Sequence, residues 1–193
     1  MKLRPLLSSA LLLGLATLGA TPVNNQLPSI TALDRGIHVF PVRAVRVGYS
    51  RSHAGYPATD IFCAVGSQFV APTGGIVCFV RRTDNWNPRV DDPATRGGLA
   101  VAIIGDDGWQ HYGSHLSAIA SGIKAGVRVK RGDLLGLTGT TGNARGRPPH
   151  LHYGLSRPSA PDDWKTRRGQ VDPFHHLQFW QQVGRGKSLG KPR

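Results

Sequence analysis

His150-Leu151-His152 is the densest run of chemistry-bearing side chains in the sequence. On a strand, residues two apart point to the same face, so both imidazoles would share one site while Leu151 turns to a core. Alone, such a pair reads as two exposed strand histidines. Its weight comes from company. Ser52-His53-Ala54-Gly55-Tyr56-Pro57-Ala58-Thr59-Asp60 supplies a His and an Asp across a turn-forming stretch, and Tyr112-Gly113-Ser114-His115 puts another His on a strand-like run. Zinc accepts His nitrogen and Asp oxygen, and a catalytic zinc keeps one position for water, so two His and one Asp would make an open site. The chain contains no Glu. That excludes an HExxH peptidase, whose water-activating Glu would be missing. Moving the water's proton would fall to His, which is suited to it near neutral pH. No Asp pair announces the two flanking carboxylates of a glycosidase.

With these pieces in order, the sequence resembles the lysostaphin-like (LytM-type) zinc endopeptidases of bacterial cell walls. The matching segments are His53…Tyr-Pro-Ala-Thr-Asp60-Ile-Phe, Val70-Ala71…Gly75-Ile76-Val77 and Tyr112…His115-Leu116-Ser117. They continue as Gly126-Val127-Arg128-Val129…Gly132-Asp133-Leu134-Leu135-Gly136…Thr141-Gly142 and Pro149-His150-Leu151-His152-Tyr153-Gly154, with Val171-Asp172-Pro173 as a weaker echo. The resemblance implies a mainly β fold, a single antiparallel β-sheet groove of the duplicated hybrid-motif type with loops over a metal. It implies that His53, Asp60 and His152 bind Zn2+, and that His115 and His150 flank the water and the developing oxyanion. It further implies a peptidoglycan endopeptidase. The sequence departs from the pattern twice. Six residues separate His53 from Asp60 where three is commoner, although a Tyr-Pro-Ala subgroup has the longer form. Two residues, Gly113-Ser114, separate Tyr112 from His115 where one is usual, which puts a role for Tyr112 in doubt.

The elements that must position these side chains are short. Of 193 residues, 25 are Gly and 14 Pro, a mix that favours strands and turns over long helices. Residues 38–47, 60–63, 68–71, Gly75–Arg81, 99–104, 109–117 and 150–155 read as strands, bounded by Gly and Pro. Gly105-Asp106-Asp107-Gly108 reads as a hairpin turn, residues 126–142 as tight β-turns, and 82–98 as an exposed loop. Residues 172–183 are the best helix candidate, so the expectation is one β-sheet domain with a short C-terminal helix. The domain plan is a signal peptide at 1–20, a tether at 21–35, the zinc endopeptidase domain at 36–180 and a basic flexible tail at 181–193. The first segment has a basic start, an apolar stretch over 6–18 and small residues at Gly19-Ala20, which is a secretory pattern and too short for a comfortable span. No membrane span is expected after its removal, and the product belongs in the periplasm, cell wall or medium.

Lys plus Arg number 24 against 11 Asp, a net charge of +13. Such a balance suits nucleic acid, acidic lipid or acidic wall polymer. Export and the absence of a recognition-helix or zinc-finger pattern argue against nucleic acid. Peptidoglycan is the expected partner, and the sequence names no regulatory protein. Cys63 and Cys78 lie in apolar strand-like runs, where export would let them pair; two buried free thiols fit equally well. A Cys63–His hydrolase ranks last, and no nucleophile elbow supports a serine enzyme. A non-catalytic wall-binding or hydrolase-activating module of the same fold is the alternative. The Gly126–Gly136 turn rhythm also occurs in lipoyl-type carriers, but no lysine sits at the turn tip. His111 reads as a solvated neighbour of the site strand, His175 and His176 as helix-surface residues, and Trp86 and Trp109 as core or groove aromatics. Arg145 and Arg147 could meet stem-peptide carboxylates or form a solvated charged loop.

Overall fold

The structure, a computed structural model, describes residues 33, 37–51, 53 and 55–185. Residues 1–20, read as a signal peptide, most of the stretch read as a tether and residues 186–193 of the stretch read as a tail lie outside the described residues. Nine strands follow one another as β1 (Val42–Arg43), β2 (Thr59–Phe62), β3 (Gln68–Val70), β4 (Gly75–Arg81), β5 (Leu99–Gly105), β6 (Gln110–Ile119), β7 (Arg128–Val129), β8 (Leu134–Thr138) and β9 (His150–Ser156). Two short helices close the chain, α1 (Trp164–Arg167) and α2 (Phe174–Gly184). All pairings are antiparallel, in the order β1-β3-β8-β6-β5-β4-β7, with β9 beside β6 and β2 beside β9. The expectation of a mainly β protein built on a single antiparallel sheet is therefore met.

β6 is long enough to serve two neighbours on one edge. Its first half, Gln110 to Ser114, pairs with β9, and Leu116 to Ile119 pairs with β8. The handover falls at His115. On the opposite edge the register with β5 shifts between Leu99 and Val101, so three steps of β6 face two of β5. This bulge absorbs the extra residue between Tyr112 and His115 noted above, and a bulge re-aims the side chain it carries. His115 takes φ +64, a left-handed conformation uncommon for a residue with a Cβ. Its N–H is held by the Gly97 carbonyl at 2.9 Å.

β9 is buried along its whole length. Leu151, Tyr153 and Leu155 point into the main core with Ile61, Phe69, Ile103, Leu116, Leu135, Leu177 and Trp180, all fully buried. Each such aliphatic or aromatic side chain contributes about 1.5–3 kcal/mol on burial. The alternation that sends these residues inward sends His150 and His152 to the other face.

α2 covers the core with Leu177 and Trp180, three residues apart on one helical face. It runs from Phe174 to Gly184, close to the 172–183 expected, and so carries helix into the stretch read as tail. Trp180 Nε1–H donates to the carbonyl of Leu33 at 2.8 Å, and Leu33, inside the stretch read as tether, is fully buried. Residues 38–47 are less regular than expected, since only Val42 and Arg43 pair as strand. Pro41 has no N–H to enter a ladder, though its carbonyl accepts from Val70 N–H. α1 escaped the sequence reading. Its signal is Asp163, whose carboxylate accepts from Thr166 N–H at 3.0 Å as an N-cap. Cys63 and Cys78 are both free, and burial pushes the Cys78 thiol up to about 11.

His111 corrects another expectation. It is fully buried, not solvated, and belongs to a polar cluster on the core side of β9. His111 Nε2 and His38 Nε2 both lie on Asp107 Oδ2, at 2.9 and 2.8 Å, and Trp109 N–H donates to Asp107 Oδ1 at 2.9 Å. His111 Nδ1 meets the Tyr153 hydroxyl at 2.6 Å, and Trp180 stacks on His38 with ring centroids 4.7 Å apart. Burial alone would raise the Asp107 carboxyl. The hydrogen bonds from His111 and His38 outweigh it and hold the carboxyl well below the ordinary carboxylate range. A carboxylate depressed in this way contributes stability above its unfolded value of about 3.9, and loses it as pH falls through the lower folded value. Hydrogen bonds to a charged group are worth about 1.5–3 kcal/mol each. Asp107→Asn is therefore expected to lower urea-unfolding stability by about 3 kcal/mol at pH 7. The gap to the parent should narrow below about pH 4, and a pH-independent gap would contradict this account.

Candidate metal centre and its cavity

The register of β2 against β9 sets Asp60 directly opposite His152. Cross-strand partners are the closest side-chain neighbours a sheet provides. His152 Nδ1 lies 2.9 Å from Asp60 Oδ1, and His53 Nε2 lies 3.8 Å from the same oxygen. One ligand atom from each of His53, Asp60 and His152 falls within 4.8 Å of the others. His53 comes from the turn before β2, where its ring packs 4.4 Å from Tyr56 and 4.9 Å from His152. The longer His53–Asp60 spacing thus houses Tyr56 and Pro57, and a Cβ on Gly169 would strike the Pro57 carbonyl.

The protonation pattern shows whether these three fit a cation. His152 Nε2 faces the Arg168 carbonyl at 3.0 Å, so that nitrogen carries the hydrogen and donates it. The other ring nitrogen, Nδ1, then faces Asp60, where it either donates a hydrogen as part of an imidazolium or lends a lone pair to a cation. Burial would raise the Asp60 carboxyl, but the His152 hydrogen bond and charge prevail and lower it to about 2. An ionised oxygen facing an imidazole lone pair calls for a positive charge between them, either a proton or a metal. His53 is held below its ordinary value by burial first and by His152 second, which favours its neutral form, and its Nδ1 is buried without a partner. Two imidazole nitrogens and one carboxylate oxygen converging this way fit zinc.

His115 and His150 stand beside this trio. Their rings are 4.9 Å apart, and His115 is 6.1 Å from His152. His115 Nδ1–H donates to the Thr141 carbonyl and His150 Nδ1–H to the Pro148 carbonyl, both at 2.8 Å. In the neutral form of either ring the lone pair therefore lies on Nε2. Burial, then the neighbouring His152 and His150, lowers His115 to about 3, so it is neutral throughout the neutral range. All five side chains expected at the site border one cavity of about 330 Å³.

Other neighbours of the cavity were missed or misjudged from sequence. Tyr112, placed in doubt by its spacing, borders it and sits 6.2 Å from His152. Tyr56, Trp164, Arg96, Arg167 and Arg168 border it too. Exposed Arg147 borders it, whereas Arg145 turns away to Asp84. Asp84 also accepts from Gly142 N–H, which ties the 82–98 loop to the turn before β9. Cys63 does not border the cavity, which removes the support for a cysteine nucleophile. His176 is buried against Trp180, unlike the surface position expected, while exposed His175 meets Arg51 at 2.7 Å.

Residues 53–173 match Peptidase family M23. The chain is 30% identical over 165 residues to the L-Ala--D-Glu endopeptidase of Bacillus subtilis, covering 77% of this chain and 45% of that protein. It thus spans less than half the length of that curated relative. Among solved structures, the catalytic domain of the antimicrobial peptidase lysostaphin from Staphylococcus simulans superposes with a TM-score of 0.50 at 25% identity, over 69% of this chain and 92% of that one. Full lysostaphin gives 0.55 at 24% identity, over 82% and 59%, a likeness of fold.

Proposed function

The chain belongs to Peptidase family M23, and on that premise we propose that it is an exported zinc metalloendopeptidase that hydrolyses peptide bonds of peptidoglycan, in stem peptides or cross-links. The observation that carries the reading is the convergence of His53, Asp60 and His152 on one point with His115 and His150 beside it. The activity of the Bacillus subtilis relative, an L-Ala--D-Glu endopeptidase, supports peptidoglycan as substrate. Residues 1–20 would direct export and be removed, the residues between them and buried Leu33 would tether, the domain through α2 would be catalytic, and the residues after Gly184 would form a basic tail facing the anionic envelope. No helix of the described residues is long and apolar enough to cross a membrane. All five site side chains are present, so the non-catalytic alternative gains nothing from this chain.

In this reading His53, Asp60 and His152 hold the zinc. When bound, zinc supplies Lewis-acid polarisation of a carbonyl and a lowered pKa for water. The Arg168 carbonyl fixes the His152 ring through Nε2–H, as outer partners of metal-binding histidines do. His115 and His150 offer Nε2 lone pairs into the cavity. One ring accepts the proton of the attacking water, and the resulting imidazolium donates to the developing oxyanion or returns the proton to the leaving amine. The carbonyls of Thr141 and Pro148 hold both rings in the tautomer this requires.

The test is zinc content measured beside peptide release from purified peptidoglycan. About one zinc per chain is expected, with release lost to a chelator and restored by added zinc. Release that persists after complete metal removal would overturn the metal reading, and a zinc-loaded protein that releases nothing would overturn the peptidase.

A further inference from the structure

The charge of the cavity wall is one-sided. Among the described residues bordering it, Asp60 is the sole acid, while Arg96, Arg147, Arg167 and Arg168 are all basic. Arg96 is paired with Asp91 at 2.6 Å. The other three form no ion pair with any carboxylate of the described residues, although Arg51, Arg128 and Arg145 elsewhere each have one. Arg167 is 3% exposed and is held over the Phe79 ring at 3.7 Å, with its Nη1–H on the Pro161 carbonyl. The Arg168 Cζ lies over the Tyr56 ring at 3.9 Å and over the Trp164 ring at 4.9 Å. Its Nε is buried without a hydrogen-bond partner. Contact with two aromatic rings restrains the guanidinium, and a restrained guanidinium can bind a carboxylate through two hydrogen bonds. Tyr56 in turn packs against His53 and lies 5.8 Å from His152, so this edge stands next to the metal-binding trio.

Building on the peptidase reading, we propose that Arg168, with Arg147 and Arg167 adding charge, is the specificity-determining subsite for a free carboxylate on the residue adjoining the scissile bond. The preferred substrate class is then an acidic peptide rather than a neutral one such as a glycine bridge. A peptide carrying a carboxylate meets the guanidinium N–H groups of Arg168 that border the cavity. The corresponding carboxamide brings no counter-charge to this half-buried guanidinium, which is where discrimination arises. Arg145 serves as an internal control, since Asp84 already occupies it outside the cavity.

The test uses two stem-type peptides that differ only in bearing D-glutamate or its carboxamide after L-alanine. Binding is measured by NMR titration of the metal-free chain, which removes direct attraction of the carboxylate for metal. Hydrolysis is measured on the zinc-loaded chain. The carboxylate peptide is expected to bind at least about tenfold tighter, the factor commanded by one charge-assisted hydrogen-bond pair. Arg168→Gln should bring the two affinities within about twofold, Arg168→Lys should keep part of the preference, and Arg145→Gln should keep all of it. Thermal midpoints of the variants check that they fold. Equal binding by the parent, or a preference that survives Arg168→Gln, would overturn the proposal; should Arg168→Gln fail to fold, Arg168→Lys and Arg147→Gln decide it by the same ratio. Discrimination in binding with no hydrolysis of either peptide would sink the peptidase and leave the carboxylate subsite. Hydrolysis without discrimination would do the reverse.

Discussion

His152→Ala is expected to abolish zinc binding and peptide release together. The substitution removes the Nδ1 that lies 2.9 Å from Asp60 and leaves that carboxylate with His53 alone, at 3.8 Å. Two protein ligands are fewer than the three a catalytic zinc ordinarily keeps, so the stoichiometry should fall from about one to near zero at micromolar metal. The loss has a structural side as well. His152 sits at the centre of β9, between β2 and β6, and its ring is buried. Truncation opens space beside Tyr56 and Tyr112 and removes the bond to Arg168. Far-ultraviolet circular dichroism should still report the sheet, because Leu151, Tyr153 and Leu155 on the other face keep the core intact. Full zinc occupancy in His152→Ala would mean that the metal is held elsewhere.

His115→Asn is expected to leave zinc bound and lower kcat by about 10²–10⁴-fold, the range of a positioned acid–base group. Asn is the informative replacement because residue 115 sits at φ +64, where Asn is tolerated and Ala would add backbone strain to the lost imidazole. The carbonyls of Gly97 and Thr141 still have an N–H and an amide to accept from, so the bulge should persist. The readout that separates a chemical role from a supporting one is KM against kcat. Loss of the proton carrier should fall on kcat with KM little changed. A variant with normal kcat, or one that loses zinc, would move His115 out of the proposed role.

Much of this site was visible before any coordinates. The alternation of His150, Leu151 and His152 is a property of any strand, so the shared face of the two imidazoles followed from three letters. The turn after Tyr56, the apolar run of β5 and the hairpin at Gly105-Asp106-Asp107-Gly108 were equally local, and each falls where expected. The absence of Glu directed attention to histidine as proton carrier with no structure at all.

What stayed hidden depends on which strands become neighbours. The extra residue before His115 looked like a departure from a pattern, and became a bulge once β6 was seen to exchange β9 for β8 at that point. His111 looked solvated because a polar residue on a strand usually is. Only the arrival of His38 and of Trp180 from distant parts of the chain, joining Asp107 of the adjacent hairpin turn, provides the partners that make its burial favourable. The arginines show the same division. Sequence could name Arg145 and Arg147 together, but the Asp84 carboxylate claims one and leaves the other at the cavity, while Arg167 and Arg168 reach it because α1 packs against β9. Residue types and their period along the chain thus determined the fold class and the chemical inventory, because those are local properties. Which donor meets which carboxylate, and which charge is left without one, was decided by strand register and burial, because those energies exist only between segments far apart in the chain.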